Sequence, residues 1–190
     1  MPDLMILGEF LDAPARERIL RDLRTAAGSA APVYGAEPDG AVDSRVRRAR
    51  IVEVSIEVRE LVTRLLASAE DALARRFGLP IHTFESPQFL HYVAGDFFVA
   101  HQDGNTGMIR DDAEGRRISA VIFLNAPSGP QEGSYGGGSL VLHGSYPHVA
   151  EREIVPAMPG ALVAFRSETT HEVTPVTHGD RYTIVTWYRE

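Results

Sequence analysis

The sequence predicts an α+β domain: a double-stranded β-helix, the jelly-roll or cupin-like pairing of two facing sheets, with N-terminal helices buttressing it. Three observations carry that expectation. Apolar residues recur at helical spacing over 55–77 and, more briefly, over 13–27. From residue 81 onward the period falls to two, in short runs parted by Gly-, Pro- and Asp-rich turns. Short strands at such regular spacing suit a double-sheet roll. The expected organisation is one domain over 1–190, with 1–80 as helical support and 81–190 as the β core.

A chain of 190 residues buries roughly 70% of its unfolded surface, enough for a core without staples. The 44% apolar and 24% charged content is ordinary for a globular protein in water. A net charge of -7 argues against a nucleic-acid partner held by phosphate attraction. The absence of cysteine excludes disulfides, thiolate metal ligands and cysteine nucleophiles. The first residues lack a basic lead and a long apolar run, and no stretch approaches the roughly 18 apolar residues of a membrane span, so the expected setting is cytoplasmic, with no membrane partner.

In chain order, residues 4–11 read as a short strand. Asp12 is placed to cap a helix with Pro14 in its first turn, where a missing N–H costs nothing. That helix runs to about Ala27 with Ile19, Leu20, Leu23 and Ala27 on one stripe, and Gly28 marks its stop. Residues 29–44, rich in Ala, Pro and Gly, read as a loop. The basic segment holding Arg45, Arg47, Arg48 and Arg50 is either a solvated strand edge or an arm that carries arginines to the mouth of a site. Ser55 caps the long helix, whose stripe runs through Val58, Leu61, Val62, Leu65, Leu66, Ala69, Leu73 and Phe77 to the stop signal Gly78-Leu79-Pro80. The strands expected after it are 81–85, 88–93, 97–101, 118–124, 139–143, 151–156, 161–166, 172–176 and 181–188.

Chemistry gathers at His101 and Asp103. Side chains alternate along a strand, so residues at i and i+2 face the same way and offer an imidazole nitrogen and a carboxylate oxygen to one point. His171, which opens a later strand, would complete a two-histidine, one-carboxylate face that leaves open positions and suits non-haem Fe(II). Singly, each histidine is as well explained by a surface or hydrogen-bonded role. On the last strand Arg181, Thr183, Val185 and Trp187 share one face, and Tyr182, Ile184, Thr186 and Tyr188 the other. An arginine turned into a barrel needs an anion. Either an Asp or Glu supplies it, or the distal carboxylate of a 2-oxo dicarboxylate does, paired bidentately with guanidinium.

The run Tyr92-Val-Ala-Gly95-Asp-Phe-Phe98-Val-Ala-His101-Gln-Asp103 resembles the Tyr-x-x-Gly-x-x-aromatic-x-x-His-x-Asp signature of prolyl 4-hydroxylases, a branch of the Fe(II)/2-oxoglutarate-dependent dioxygenase superfamily. Arg116-Arg-Ile-Ser-Ala-Val-Ile-Phe123-Leu124-Asn125 is similar to their Arg-x-x-Thr…Tyr-Leu-Asn strand, and Gly136-Gly-Gly138 to their Gly-Gly turn. Pro159-Gly160-Ala-Leu-Val-Ala-Phe165 precedes the distal histidine as it does in the family. His171-Glu-Val-Thr-Pro175 followed by Arg181-Tyr-Thr-Ile-Val-Thr-Trp187-Tyr188 is similar to the C-terminal signature of bacterial and hypoxia-factor-type prolyl hydroxylases.

The resemblance implies Fe(II) on His101, Asp103 and His171, and 2-oxoglutarate clamped by Arg181 with Tyr92 near its iron-bound end. It implies O2 as oxidant and ascorbate as a reductant. Trp187 and Arg116 are the implied substrate contacts, with Arg48 added from the basic arm. A core tyrosine, a core tryptophan and a solvated arginine are the plain alternatives for Tyr92, Trp187 and Arg116. Two departures stand out: Phe123 replaces a tyrosine that donates to the distal carboxylate in the family, and Phe98 replaces another. Thr183 is the expected substitute donor. The other histidines (His82, His91, His143, His148, His178) are assigned to surface or hydrogen-bonding roles, and Gly104 to Arg117, with Asp111, Asp112 and Glu114, to a mobile acidic lid.

The function expected is a hydroxylase that couples decarboxylation of 2-oxoglutarate to succinate and CO2 with hydroxylation of a substrate C–H. A prolyl residue in a peptide or protein leads as substrate, and a free amino acid or natural-product intermediate follows. The competing classes are a metal-binding cupin that performs no oxygenation and a jelly-roll binding module without metal.

Overall fold

The computed structural model describes residues 3–33, 42–104, 112–127, 134–144 and 150–190. The N-terminal part holds β1 (Leu4–Leu7), α1 (Ala13–Thr25), β2 (Gly28–Ala30), β3 (Arg47–Arg48), β4 (Arg50–Val52) and α2 (Ile56–Phe77). The second part holds β5 (Thr83–Phe84), β6 (Gln88–Tyr92), β7 (Phe97–His101), β8 (Arg116–Phe123), β9 (Tyr135–Gly137) and β10 (Leu140–His143). It ends with β11 (Arg152–Ile154), β12 (Leu162–Arg166), β13 (His171–Val173), β14 (Val176–Gly179) and β15 (Arg181–Arg189).

The strands form two antiparallel sheets and a ribbon. The larger sheet runs β1-β12-β8-β15-β6-β4-β2, with β5 also on β15; the smaller runs β11-β10-β13-β7-β3; β9 and β14 pair by themselves. This is the double-sheet roll that the strand pattern predicts.

Both helices start where their caps direct. Asp12 accepts from the Ala15 N–H at 2.8 Å and Ser55 from the Val58 N–H at 3.4 Å. Helix α2 stops on Gly78 in the left-handed region, φ +63°. Its buried stripe (Val58, Val62, Leu66, Ala69, Leu73, Phe77) lies on the outer face of the larger sheet against Phe89, Ile118, Ala120, Ile122, Ile184 and Tyr188. Two polar ties fix the helix on that face. Tyr188 Oη donates to Leu66 O at 2.9 Å, and Arg166 Nη2 donates to Phe77 O, one of the helix's last carbonyls, at 2.8 Å.

The inner face follows from the period of two. Ile118, Ala120 and Ile122 of β8 point to the helices, while Ser119, Val121 and Phe123 point to the other sheet. On β15, Tyr182, Ile184 and Tyr188 face the helices, and Arg181, Thr183, Val185 and Trp187 face the space between the sheets, the division the alternation predicts.

Some boundaries differ. Gly28 does not end a helix but opens β2, and Ala26 closes α1 in extended conformation. The basic segment is no free arm: β3 joins the smaller sheet beside β7 and β4 joins the larger one beside β6. Val176–Gly179, read as strand end and turn, pairs with Tyr135–Gly137. Of the expected lid, residues 105–111 lie outside the described residues, and its described end is a short 3-10 turn, Asp112–Gly115, leading directly into β8. No helix among the described residues is long and apolar enough to cross a membrane.

Candidate active site

The smaller sheet places the two histidines. His101 ends β7, His171 begins the antiparallel β13, and the two are register partners. Directly opposed residues of neighbouring strands project from the same face, so the rings meet with centroids 4.2 Å apart. Asp103 arrives by a route other than strand alternation, because β7 has already ended. Its backbone N–H donates to Ser167 O at 2.9 Å, which folds the chain back toward the histidines. Asp103 Oδ1 lies 3.5 Å from His101 Nε2, and Oδ2 lies 3.4 Å from His171 Nε2. The three ligand atoms fall within 4.8 Å of one another, a set that could hold one metal ion.

Each of these side chains is oriented from behind. His101 Nδ1 lies 2.8 Å from Val99 O and His171 Nδ1 lies 2.9 Å from Thr169 O, so Nδ1–H donation to the carbonyl leaves both Nε2 lone pairs for a metal. Ser119 Oγ donates to Asp103 Oδ2 at 2.7 Å. Phe98 stacks on His101 at 3.6 Å, and Phe165 meets the edge of His171 at 4.8 Å.

The charges suit a divalent cation. Burial alone would raise the Asp103 carboxyl, but the adjacent His171 and His101 and the hydrogen bond from Ser119 outweigh it and hold it well below the usual carboxylate range. Burial, reinforced by His101, pushes His171 down to about 4. At neutral pH the site therefore presents an ionised carboxylate and a neutral buried imidazole, the states in which these groups bind metal.

Behind this centre the cleft is lined by Leu90, Tyr92, Val121, Leu140, Val185 and Trp187 among others, and at its inner end by Arg181. Arg181 is only 2% exposed. Its guanidinium carbon lies 5.0 Å from the Tyr92 ring centre and 5.7 Å from that of Phe123, and Nη1 donates to Thr183 Oγ1 at 3.3 Å. Among the described residues no carboxylate pairs with it, and its Nε has no partner. The Asp or Glu ion pair open from the sequence is therefore not formed there. A buried guanidinium without an anion is costly, and an anion entering the cleft would relieve that cost.

The remaining expected residues fall in different places. Trp187 lines the cleft, with the Arg116 guanidinium carbon 3.7 Å from its ring centre. Arg116 is not free at a mouth. It grips Glu85 bidentately at 2.7 Å through Nε and Nη2, Glu85 also receives Arg189 at 2.7 Å, and Arg116 Nη1 donates to Asp103 O at 3.3 Å. It therefore buttresses Trp187 and the Asp103 backbone. Arg48, expected near substrate, faces outward on β3, and alternation turns its neighbour Arg47 inward instead. Arg47 is 6% exposed, lies 4.9 Å from the Phe98 ring centre, donates to Pro32 O at 3.1 Å and leaves its Nε unpartnered in the cleft wall. His91 pairs with Asp180 at 2.6 Å, in line with a hydrogen-bonding role, whereas His143 Nε2 lies 3.3 Å from Glu172 Oε1 without forming a hydrogen bond; His148 lies outside the described residues.

Sequence reasoning passed over two residues. Arg47 sits in a basic run whose register cannot be read without its strand partner. Tyr135 is 1% exposed and its hydroxyl has no hydrogen-bond partner among the described residues; the one local signal is its position directly before three glycines.

Comparison with known proteins agrees with this geometry. The family model of the 2OG-Fe(II) oxygenase superfamily matches residues 87–189, more than half of the chain. The protein therefore belongs to the 2OG-Fe(II) oxygenase superfamily, an oxidoreductase family whose members take Fe(II), 2-oxoglutarate and O2. A PKHD-type hydroxylase of Burkholderia ambifaria is 32% identical over 177 residues, covering 92% of this chain and 73% of that protein. A PKHD-type hydroxylase of Shewanella sp. strain ANA-3 is 33% identical over 140 residues, 70% of this chain and 54% of that one, so the chain spans about half the length of several relatives it matches. Among solved structures, a Pseudomonas putida prolyl-4-hydroxylase superposes with a TM-score of 0.75 at 23% identity, covering 100% of this chain and 94% of that one. A Trichoplax adhaerens prolyl hydroxylase in complex with a hypoxia inducible factor peptide gives 0.73 at 21% identity, covering 100% and 84%. These two share the fold.

Proposed function

We propose that the protein is a 2-oxoglutarate-dependent hydroxylase whose leading substrate is a prolyl residue in a peptide or protein. The observation that carries this reading is the joint presence, in one cleft, of the His101–Asp103–His171 face and a buried arginine that no acid among the described residues pairs with. A metal-binding cupin that performs no oxygenation needs the first and has no use for the second. Fe(II) with 2-oxoglutarate and O2 would supply the oxidation, turning 2-oxoglutarate into succinate and CO2 while one oxygen atom enters a substrate C–H bond.

The chain's own part is positional. His101, Asp103 and His171 would hold the metal with their donors already aimed, so little reorganisation is needed on binding. Arg181 and Thr183 would orient the dicarboxylate from its far end. Val121, Leu140 and Val185 keep that end of the cleft apolar and exclude water, which strengthens the charge pairing there. Trp187, braced by Arg116, and Phe98, stacked on His101, would form the walls against which a substrate ring lies. The two solved structures that share the fold are prolyl hydroxylases, and that likeness supports a prolyl substrate.

The test is succinate formation by purified protein with Fe(II), 2-oxoglutarate and O2, screened over proline, other free amino acids and proline-containing peptides, with product mass. A gain of one oxygen on a prolyl peptide establishes the reading. Metal binding without succinate from any substrate returns the protein to the metal-binding cupin class.

Arg47 favours a second reading of the substrate. A second buried cation with an open donor in the cleft wall, separated from His101 by the stacked Phe98 ring, suits a substrate that carries a carboxylate, such as a free amino acid. If Arg47 serves that role, proline is hydroxylated and its amide is not, and Arg47→Gln erases the difference.

A further inference from the structure

Among the described residues, two buried donors without acceptors lie close together beside the cleft: Arg181 Nε, on its wall, and the hydroxyl of Tyr135 just behind it. They come from different elements. Tyr135 begins β9, its register partner Gly179 ends β14, and Arg181 opens β15 immediately afterwards. Asn125 holds this corner closed, donating to Asp180 O at 2.7 Å and accepting from the Tyr182 N–H at 3.0 Å. Gly138 brings the following turn down on both side chains. It sits at φ +60°, and a Cβ there would stand 2.8 Å from Arg181 Cδ and 3.4 Å from Tyr135 Cε2. Burial raises the Tyr135 phenol and Arg181 draws it partly back, so the hydroxyl is protonated, lies within the field of the guanidinium and is ready to donate.

A buried hydroxyl and a buried guanidinium N–H, each unsatisfied, cost free energy that one shared acceptor would remove. The phenol oxygen can accept from the guanidinium, but the Tyr135 O–H proton then still lacks an acceptor, because guanidinium has none to offer. We propose that Tyr135 is a co-substrate-binding residue whose hydroxyl donates, alongside Arg181 and Thr183, to the distal carboxylate of 2-oxoglutarate. This rests on the co-substrate reading above. It also accounts for Phe123 beside Arg181: with Tyr135 supplying a hydroxyl from β9, none is required from β8. The Gly136-Gly137-Gly138 run acquires a role as well, because bulk at Gly138 would push the ribbon off the clamp.

The experiment is anaerobic titration calorimetry on the Mn(II)-loaded protein, with 2-oxoglutarate and with 2-oxopentanoate, which keeps the chelating end but lacks the distal carboxylate. Tyr135→Phe should weaken 2-oxoglutarate about tenfold or more, the scale of one hydrogen bond to a charged acceptor. It should leave 2-oxopentanoate and Mn(II) affinities unchanged. Phe123→Tyr in the Tyr135→Phe background, which returns a hydroxyl to the Arg181 site from β8, should recover part of the loss; this double variant also serves as the test should Tyr135→Phe alone not fold. Equal affinity of wild type and Tyr135→Phe for 2-oxoglutarate overturns the assignment, as does an equal loss for both keto acids. Failure of the wild type to bind 2-oxoglutarate at all overturns the co-substrate reading itself, with Tyr135's part in it.

Discussion

The two ends of the cleft are built on opposite principles. At the metal end the described hydrogen-bonding atoms behind the ligands are already matched: both Nδ1 groups meet carbonyls and Asp103 receives Ser119. At the Arg181 end donors are left open, with Arg181 Nε and, behind it, the Tyr135 hydroxyl buried and unpartnered among the described residues. The difference teaches what each end waits for. A metal ion needs a few lone pairs held at fixed directions, so the chain satisfies everything except those lone pairs. A carboxylate brings its own acceptors, so the chain leaves donors unsatisfied and carries their burial cost until it arrives.

The largest break in this contrast comes from Asp103→Ala, which removes the carboxylate between the two histidines. Turnover should fall below detection, and metal affinity should drop by more than the roughly 10- to 100-fold typical of losing an outer partner; an active purified variant would refute the ligand assignment. Arg181→Ala should raise the Kd for 2-oxoglutarate by about a hundredfold or more, the worth of two hydrogen bonds between charged groups. Metal affinity measured without co-substrate should not change, which separates the two ends. Ser119→Ala strips one outer partner from Asp103 and should weaken metal by about tenfold, leaving co-substrate affinity at saturating metal near wild type.

The smallest expected effect is a pH dependence confined to the metal end. His171 has its folded pKa depressed from 6.5 to about 4, so its contribution to the metal-free fold is present above pH 6.5 and is lost as pH falls toward 4. The thermal midpoint of metal-free protein should decline across that window, and His171→Asn should flatten the decline. Arg181→Ala, which leaves His171 in place, should keep the decline.

Much of this was legible in the residue order. Helix α2 declared itself through its stripe, Ser55 and Gly78, because capping and periodicity are local properties. The alternation of β15 was equally local, and it turned Arg181 and Thr183 inward and Tyr188 toward the helix. Asp103 was assigned as a ligand by a strand argument that does not describe it. The residue lies past the end of β7, and Ser167 and Ser119, distant in sequence, aim it. Arg116 read as a contact at an entrance because its partners Glu85, Arg189 and Trp187 meet it only in the fold. Arg48 and Arg47 exchanged places for a simpler reason: a two-residue strand has no internal signal for which side chain faces in, and pairing with Phe97 and Phe98 decides it.

By itself, the sequence determined which groups exist and how neighbours along one element divide between its faces: the helical stripe, the two faces of β15, and the types and order of the ligands. Tertiary structure alone decided which donors remain unmatched. Whether the hydroxyl of Tyr135 or the guanidinium of Arg181 is satisfied depends on what the sheet opposite and the β9–β14 ribbon bring within hydrogen-bond reach. Hydrogen bonds act over about 3 Å, so that question is settled by packing between segments far apart in the chain, and no local pattern records the answer.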